Sequence, residues 1–139
     1  MNSKTGPKVR VIAFGSFDGF HPGHAFYLRN ARKLGDELVV IVARDATIAK
    51  VKHHKPHYSE DERLAFAQNC IYVDHAYLGN NANYFEVLST HQPHIIALGY
   101  DQQTFSRDLN EELRKKGINA TVVRLPPYHP EKYKSSKMH

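Results

Sequence analysis

Short apolar runs separated by longer polar segments dominate the pattern along this chain. The runs "KVRVIAF" (8–14), "ELVVIVA" (37–43), "HIIALG" (94–99) and "NATVVRL" (119–125) are brief and rich in branched residues, which favours strands over helices. A shorter strand is predicted near 75–78. The runs are continuous rather than alternating, so they indicate strands that are covered on both faces, as in parallel sheets.

The segments between these runs carry helix signals. Apolar residues at a spacing near 3.6 predict a helix over 23–34, and Gly35 is a fitting C-terminal stop. Ser59, with Glu62 three residues further on, forms a capping box before the next apolar run. Two more helices are predicted over 84–91 and over 106–117, the second closed by Gly117.

Strands therefore alternate with helices along the chain. This alternation predicts an α/β fold of the Rossmann-like type, with three α/β/α layers and a mostly parallel five-stranded sheet. We expect one domain over 1–139, with a flexible N-terminus at 1–7 and a phosphate-binding tail at 126–139. Ligands of such sheets bind beyond the carboxyl ends of the strands. The segments "GSFDGFHPGH", "ARD" and "GYDQ" follow three different strands and are expected at that edge.

Composition narrows the function classes. The chain has 139 residues, 41% of them hydrophobic, no apolar run long enough to span a membrane and no signal-peptide pattern at its start. Its single cysteine, Cys70, leaves the cytoplasm as the default location. The net charge of +5 suits an anionic partner, which could be nucleic acid, a membrane surface or a phosphorylated small molecule. Lysines gather in 44–58, a proline-broken stretch that is predicted to be a loop.

The stretch from Gly15 to His24 has the features of a phosphate site. Glycines let the backbone approach a ligand closely, and Gly23 with His24 would open a helix whose N-terminus favours an anion. His21 and His24 would then lie beside the free N–H groups of that helix. A capping role, or half of a metal site, stays open as an alternative for the two histidines.

The same stretch also resembles a family signature. "GSFDGFHPGH" resembles the G-[TS]-F-D-x-x-H-x-G-H pattern of the HxGH nucleotidyltransferases, which include glycerol-3-phosphate cytidylyltransferases, phosphopantetheine adenylyltransferases and archaeal-type FAD synthases. "LGDELVVIVARD", "SEDERLAFAQNCIYVD", "IIALGYDQ" and "KSSKM" are similar, in order, to further segments of short members.

The resemblance implies a reaction in which a phosphate-bearing acceptor attacks the α-phosphorus of a nucleoside triphosphate and pyrophosphate leaves. It implies that His21 and His24 contact those phosphates, that Asp18 binds Mg²⁺ or orders its loop, and that Arg63 contacts the acceptor or the triphosphate. Catalytic roles are expected for His21, His24, Lys55 and Arg63, and acceptor binding for Lys50, Lys52 and Arg63. Nucleotide binding is expected at Gly15, Ser16, Phe17, Asp18, Gly23, Gly99, Tyr100, Asp101, Ser135 and Ser136, although packing in the core is the preferred interpretation for the Phe17 ring.

The choice of substrates follows from finer similarities. The chain lacks the Arg-Thr stretch of the glycerol-3-phosphate cytidylyltransferases, and its "LGYDQ" and "ARD" are closer to archaeal-type FAD synthases, which join ATP to FMN. The paired C-terminal cysteines of those enzymes are missing. A CTP-dependent enzyme that acts on a polyol phosphate stays open as the alternative. A non-catalytic nucleotide- or RNA-binding module is a third hypothesis. The basic runs, however, lack the interleaved aromatic residues on which nucleic-acid bases would stack. We expect a cytoplasmic homodimer with small-molecule substrates, without a nucleic-acid or membrane partner.

Overall fold

A parallel sheet of five strands forms the centre of the molecule. The computed structural model describes residues 8–19, 21–52, 55–79, 84–99 and 109–128, without the side chains of residues 51 and 52. Every described strand pair is parallel, and the order across the sheet is β3-β2-β1-β4-β5. The strands are β1 (Arg10–Gly15), β2 (Glu37–Val42), β3 (His75–Leu78), β4 (Ile95–Leu98) and β5 (Thr121–Arg124).

Helices connect the strands as the alternation predicts. They are α1 (Pro22–Arg32), α2 (Asp45–Lys52), α3 (Glu60–Gln68), α4 (Tyr84–His91) and α5 (Leu109–Lys115). The capping box before α3 is confirmed, because the Ser59 hydroxyl accepts the Glu62 N–H at 3.2 Å and the Glu62 carboxylate accepts the Ser59 N–H at 2.9 Å. Such reciprocal bonds satisfy donors that a helix start otherwise leaves unpaired.

The prediction that all of 44–58 is a loop was wrong over Asp45–Lys52, which forms α2. Clustered lysines and the nearby proline suggested an irregular segment. Pro56 comes after the helix, however, and Ile48 is buried in the core with only 4% of its surface exposed. Among the described side chains of this short helix, Ile48 anchors it in the core, and Asp45 places an acidic residue in its first turn.

The core lies in two layers, one on each face of the sheet. Val11 and Ala13 of β1 belong to the layer that contains Leu28 of α1 and Ala67 of α3. The intervening β1 residues Ile12 and Phe14 belong to the layer with Leu88 of α4 and Leu113 of α5. Successive strand side chains point to opposite faces, so one short apolar strand supplies both layers. The predicted three-layer α/β/α arrangement is confirmed.

The strand order reverses between β1 and β4, which makes this the switch point where ligands of such sheets bind. The residues that follow β1 and β2 lie at the carboxyl edge of the sheet, close to this switch point. The predicted flexible segment 1–7 and all but residues 126–128 of the predicted tail lie outside the described residues. Among the helices that are described, none is both long and apolar enough to cross a membrane.

Candidate active site

The turn after β1 has an unusual backbone. Phe17 has a φ of +53°, in the left-handed region that a bulky residue rarely adopts, and Gly19 follows with a φ of +82°. The Phe17 ring is 1% exposed and folds back over Gly15, where an added Cβ would lie 2.6 Å from the ring. Gly15 is therefore required because the Phe17 ring occupies the space of a side chain. This confirms the interpretation of Phe17 as a core residue.

The two histidines of the motif cap helix α1 together. The His21 Nδ1 accepts the Gly23 N–H at 3.1 Å, and the His24 Nδ1 accepts the His21 N–H at 3.1 Å. Their rings stack with centroids 3.7 Å apart, and the His24 ring also meets the Phe17 ring edge to face. The pair forms a capping box made of imidazoles. Each Nδ1 accepts a hydrogen bond, so the network assigns the proton of each neutral ring to Nε2.

The sequence predicted free N–H groups at the start of α1, but the structure engages them: Gly23 donates to His21 Nδ1, and His24 and Ala25 donate to the His21 carbonyl at 2.9 and 3.3 Å. The start of α1 can therefore attract an anion through its charge. Pro22 stands at the first helical position, and the first turn contains no acidic residue. A Cβ at Gly23 would lie 2.9 Å from the His21 ring, so the absence of a side chain there allows the stacked pair to form. The helix dipole and two Nε2–H groups thus come from one short stretch.

Asp18 orders a second loop. Its two carboxylate oxygens accept the backbone N–H groups of His57 and Tyr58, each at 2.8 Å. Partial burial raises the pKa of this carboxyl. The two backbone hydrogen bonds and the charges of His57 and Arg63 together lower it by more, so the net shift of the pKa is downward. The ionised form is therefore favoured. Of the two roles that the resemblance allowed, the geometry favours loop ordering.

The described side chains of the site do not form a good set of ligands for Mg²⁺. Both Asp18 oxygens are engaged with backbone donors. Within the described part of the chain, no three His, Cys, Asp or Glu side chains come together as a cation site. The described residues therefore do not assemble a protein cage for a metal ion.

Arg63 is fully buried and joins several loops. Its exposed fraction is 0%, and its Nε donates to the Tyr58 carbonyl at 3.0 Å. One terminal nitrogen donates to the carbonyls of Ser16 and Ala43 at 2.9 and 2.7 Å, and the other donates to the Asp45 carboxylate at 2.7 Å. The predicted direct contact of Arg63 with substrate would require these bonds to be exchanged. The structure instead favours Arg63 as a positioning residue.

Sequence reasoning missed the partners of Arg63. Asp45 begins α2, and its backbone N–H donates to Glu60 Oε1 at 2.8 Å. The other Glu60 oxygen pairs with Arg44 at 3.3 Å. These contacts fasten the start of α2 to the first turn of α3. The "ARD" segment was expected at the ligand edge, but nothing in its letters shows that the aspartate faces a buried arginine.

The remaining predicted residues are placed only in part. Lys50 is exposed near the end of α2, Lys55 is exposed in the following loop, and the Gly99 carbonyl accepts a hydrogen bond from Arg124 at 2.9 Å. Outside the described residues lie the Lys52 side chain, Tyr100, Asp101, Ser135 and Ser136. The structure thus brings together, at the end of β1, the residues Gly15, Ser16, Phe17, Asp18, His21, Gly23, His24 and Arg63.

Two histidines at a helix start, beside the switch point of a parallel sheet, are the arrangement expected of a site that binds a phosphorylated ligand. The family model described as cytidylyltransferase-like matches residues 12–139. The chain belongs to this cytidylyltransferase-like family.

Similar proteins agree with this assignment. The chain is 49% identical over 120 residues to an FAD synthase of Aciduliprofundum boonei, covering 86% of this chain and 80% of the relative. It is 49% identical over 118 residues to an FAD synthase of Methanosarcina barkeri, covering 85% and 84%. Among solved structures, a lipopolysaccharide core biosynthesis protein of Thermoplasma volcanium superposes with a TM-score of 0.84 at 41% identity, over 88% of this chain and 100% of that one. A pantoate-beta-alanine ligase of Francisella tularensis, at 13% identity with a TM-score of 0.66 over 93% of this chain and 63% of that one, shares the fold.

Proposed function

We propose that this chain transfers AMP from ATP to FMN and releases pyrophosphate. An oxygen of the FMN phosphate attacks the α-phosphorus, the bond from that phosphorus to the bridging oxygen breaks, and the electron pair leaves with pyrophosphate. The observation that carries the proposal is the stacked pair of His21 and His24, held by reciprocal caps at the start of α1. The relatives named FAD synthase support the choice of substrates.

The two histidines act as neutral donors in this proposal. A proton added at either Nδ1 would face a backbone N–H, so the caps favour rings that carry their single proton on Nε2. Those Nε2–H groups, together with the positive end of α1, stabilise charge that grows on the α-phosphate and on the leaving pyrophosphate. The donors are already oriented, so little reorganisation is needed at the moment of reaction.

Arg63 and Asp18 hold the loops that surround this centre. Arg63 bonds the carbonyls that follow β1 and β2, while Asp18 bonds the backbone before α3. Both act on the shape of the site in this proposal. Direct contacts to the triphosphate or to the acceptor remain predictions for Lys50, Lys52, Lys55, Tyr100, Asp101, Ser135 and Ser136.

Mg²⁺ enters the proposal only as the ion that accompanies the triphosphate. Mg²⁺ in phosphoryl-transfer sites is commonly bound through substrate phosphates and one or two carboxylates. Asp18 is the carboxylate predicted from the family resemblance, and its two backbone bonds argue against a direct contact. We expect an Asp18→Asn enzyme to retain Mg²⁺-dependent turnover if the metal is held by the nucleotide.

The test is a panel of ATP and CTP, each with FMN or glycerol-3-phosphate, followed by pyrophosphate release and by chromatography of the product. FAD formation from ATP and FMN is the expected result. The His21→Asn protein is the matched control for contaminating activity, since asparagine preserves the helix cap and removes Nε2. Release from CTP with glycerol-3-phosphate, and none from ATP with FMN, would contradict the proposal and support the alternative substrates.

Two further expectations belong to this proposal. A cytoplasmic location agrees with substrates that are charged small molecules. A homodimer agrees with the surface beside edge strand β3, where Ile71 is 87% and Tyr77 is 44% exposed. Sedimentation of the wild type and of an Ile71→Lys variant checks the second expectation: a dimer that the substitution weakens supports it, and a monomeric wild type contradicts it.

A further inference from the structure

The pairing between β1 and β4 ends earlier than the pairing of either strand with its other neighbour. Strand β1 pairs with β4 only from Val11 to Ala13, but it pairs with β2 as far as Gly15. Strand β4 in turn pairs with β5 as far as Leu98. The two strands therefore part beyond Ala13 and Ala97, at the switch point of the sheet.

A side chain from α1 bridges the strands at this last paired position. The Tyr27 hydroxyl donates to the Ala97 carbonyl at 2.7 Å and accepts the Phe14 N–H at 3.2 Å. One oxygen atom is thus bonded to both strands where they part. Tyr27 belongs to α1 and packs against the core layer that contains Ala13 and Ala97, so its hydroxyl also ties α1 to the sheet at this point.

The bridge is suited to hold its position. Burial raises the pKa of the Tyr27 hydroxyl far above its usual range, while the hydrogen bond from Phe14 lowers it slightly, so the group stays a neutral donor at any working pH. A buried hydroxyl with both a donor and an acceptor engaged is costly to displace.

The position of Tyr27 on its helix connects this bridge with the histidine pair. Tyr27 lies three residues after His24, one turn along α1. The Tyr27 hydroxyl therefore helps to fix the distance between the stacked rings at the helix start and the ends of β1 and β4. Beyond those ends begin the turn at Gly15 and the segment after Gly99.

We infer that Tyr27 is a positioning residue for nucleotide transfer: its hydroxyl locks α1, β1 and β4 together at the switch point and so fixes where the two histidines meet the triphosphate. The hydroxyl bonds backbone groups of the two strands, so the role assigned to it is positioning and not contact with substrate. The inference rests on the proposed function only in placing the triphosphate at the start of α1, and it holds for any nucleotide and acceptor that react there.

The test compares Tyr27→Phe with Tyr72→Phe, a control tyrosine that packs against the same core layer. We expect kcat of the fully folded Tyr27→Phe enzyme to fall about tenfold, because small misplacements of catalytic groups cost rate. Hydrogen exchange at the Phe14 amide should accelerate by a similar factor, while exchange at Gly15, on the side of β2, stays unchanged. The control should match the wild type in both measurements.

A role in stability alone would lower the melting temperature and leave kcat per folded molecule at the wild-type value, and that result would overturn the inference. If Tyr27→Phe does not fold, 3,5-difluorotyrosine at position 27 retains the hydroxyl and changes its hydrogen-bond strength. An altered kcat then supports the inference and an unaltered one overturns it.

The ratio of variant to wild type is measured with whichever nucleotide and acceptor the wild type turns over, or as nucleotide affinity if it turns over none. Wild-type substrate choice therefore decides the proposed function, and the ratio decides the role of Tyr27.

Discussion

The two edges of the sheet use polar side chains differently. At the amino edge, side chains bond the strand starts themselves: Asp36 accepts the Val9 N–H at 2.9 Å and Asp74 accepts the Leu38 N–H at 2.8 Å. Glu37 lies between Arg10 and His75 at 2.9 and 3.2 Å. Each of these contacts joins neighbouring strands, so this edge serves stability.

At the carboxyl edge, polar side chains bond the backbone of loops instead. Asp18 holds the turn at His57 and Tyr58, and Arg63 holds the carbonyls of Ser16 and Ala43. The backbone enters the left-handed region at Phe17 on this edge and also at Gln92, before β4 on the amino edge, so backbone strain alone does not separate the two edges. The polar side chains of the amino edge thus hold strands together, whereas those of the carboxyl edge hold loops in the shape of a binding site.

The largest expected effect separates capping from chemistry at the carboxyl edge. His21→Asn should lower kcat by about 10²–10³-fold, since one preorganised donor at a developing charge is removed. Asparagine is a good N-cap, so the melting temperature should stay near that of the wild type. Steady-state kinetics and thermal unfolding of the same preparation check this. Near-normal turnover would show that the histidine only caps α1.

A second pair of substitutions compares a buried arginine with an exposed one. Arg63→Met should lower the free energy of unfolding by about 3 kcal/mol, because it leaves three carbonyls and a carboxylate without their donor. Arg10→Met, at the amino edge, should cost about 1 kcal/mol, since its side chain is 39% exposed. Urea unfolding measures both. Equal losses would contradict the difference between the edges.

Two glycines test whether packing at each edge reaches the active site. An added Cβ would lie 2.6 Å from the Phe17 ring at Gly15 and 2.7 Å from the Val9 carbonyl oxygen at Gly35. Each alanine substitution should therefore destabilise the protein by about 1–3 kcal/mol. Only Gly15→Ala should also lower kcat of the folded enzyme, because Phe17 packs against His24. A loss of kcat in Gly35→Ala alone would reverse this assignment.

The smallest effect concerns acid. The hydrogen bond with Arg10 lowers the pKa of Glu37, and burial opposes this only in part. The pKa of Asp18 is also lowered, because its backbone hydrogen bonds and nearby positive charges outweigh its burial. Both carboxylates therefore stabilise the fold above their ordinary pKa values of 4.5 and 3.8, and this contribution is lost as the pH falls through the lower folded values. Glu37→Gln and Asp18→Asn should each flatten the fall of stability between about pH 5 and pH 3. Only Asp18→Asn should lower turnover at neutral pH, without abolishing it, because Asp18 orders the loop at His57 and Tyr58. Unfolding at a series of pH values, with kinetics at pH 7, checks both statements.

Local signals in the sequence determined most of the secondary structure. The strand 75–78 and the helix 84–91 have the predicted bounds, and Ser59 and Glu62 cap α3 as predicted. The histidine motif was found because its residues are consecutive and its chemistry is local. The segment 45–52 was misassigned because tertiary contacts, such as the burial of Ile48 and the bond of the Asp45 N–H to Glu60, support its helix, whereas composition gave the opposite indication.

Only the tertiary structure decided which side chains support the motif. Arg63 reaches Ser16 across 47 positions in sequence, and Tyr27 reaches Ala97 across 70. Family resemblance singled out Arg63 and predicted a substrate contact. In the structure its guanidinium is buried and donates to loop carbonyls instead. Asp45 was expected only at the carboxyl edge, as part of "ARD", and Tyr27 carried no signal. A hydrogen bond between distant segments depends on how the strands order in the sheet, and periodicity along a chain holds no information about which backbone groups that order leaves unpaired.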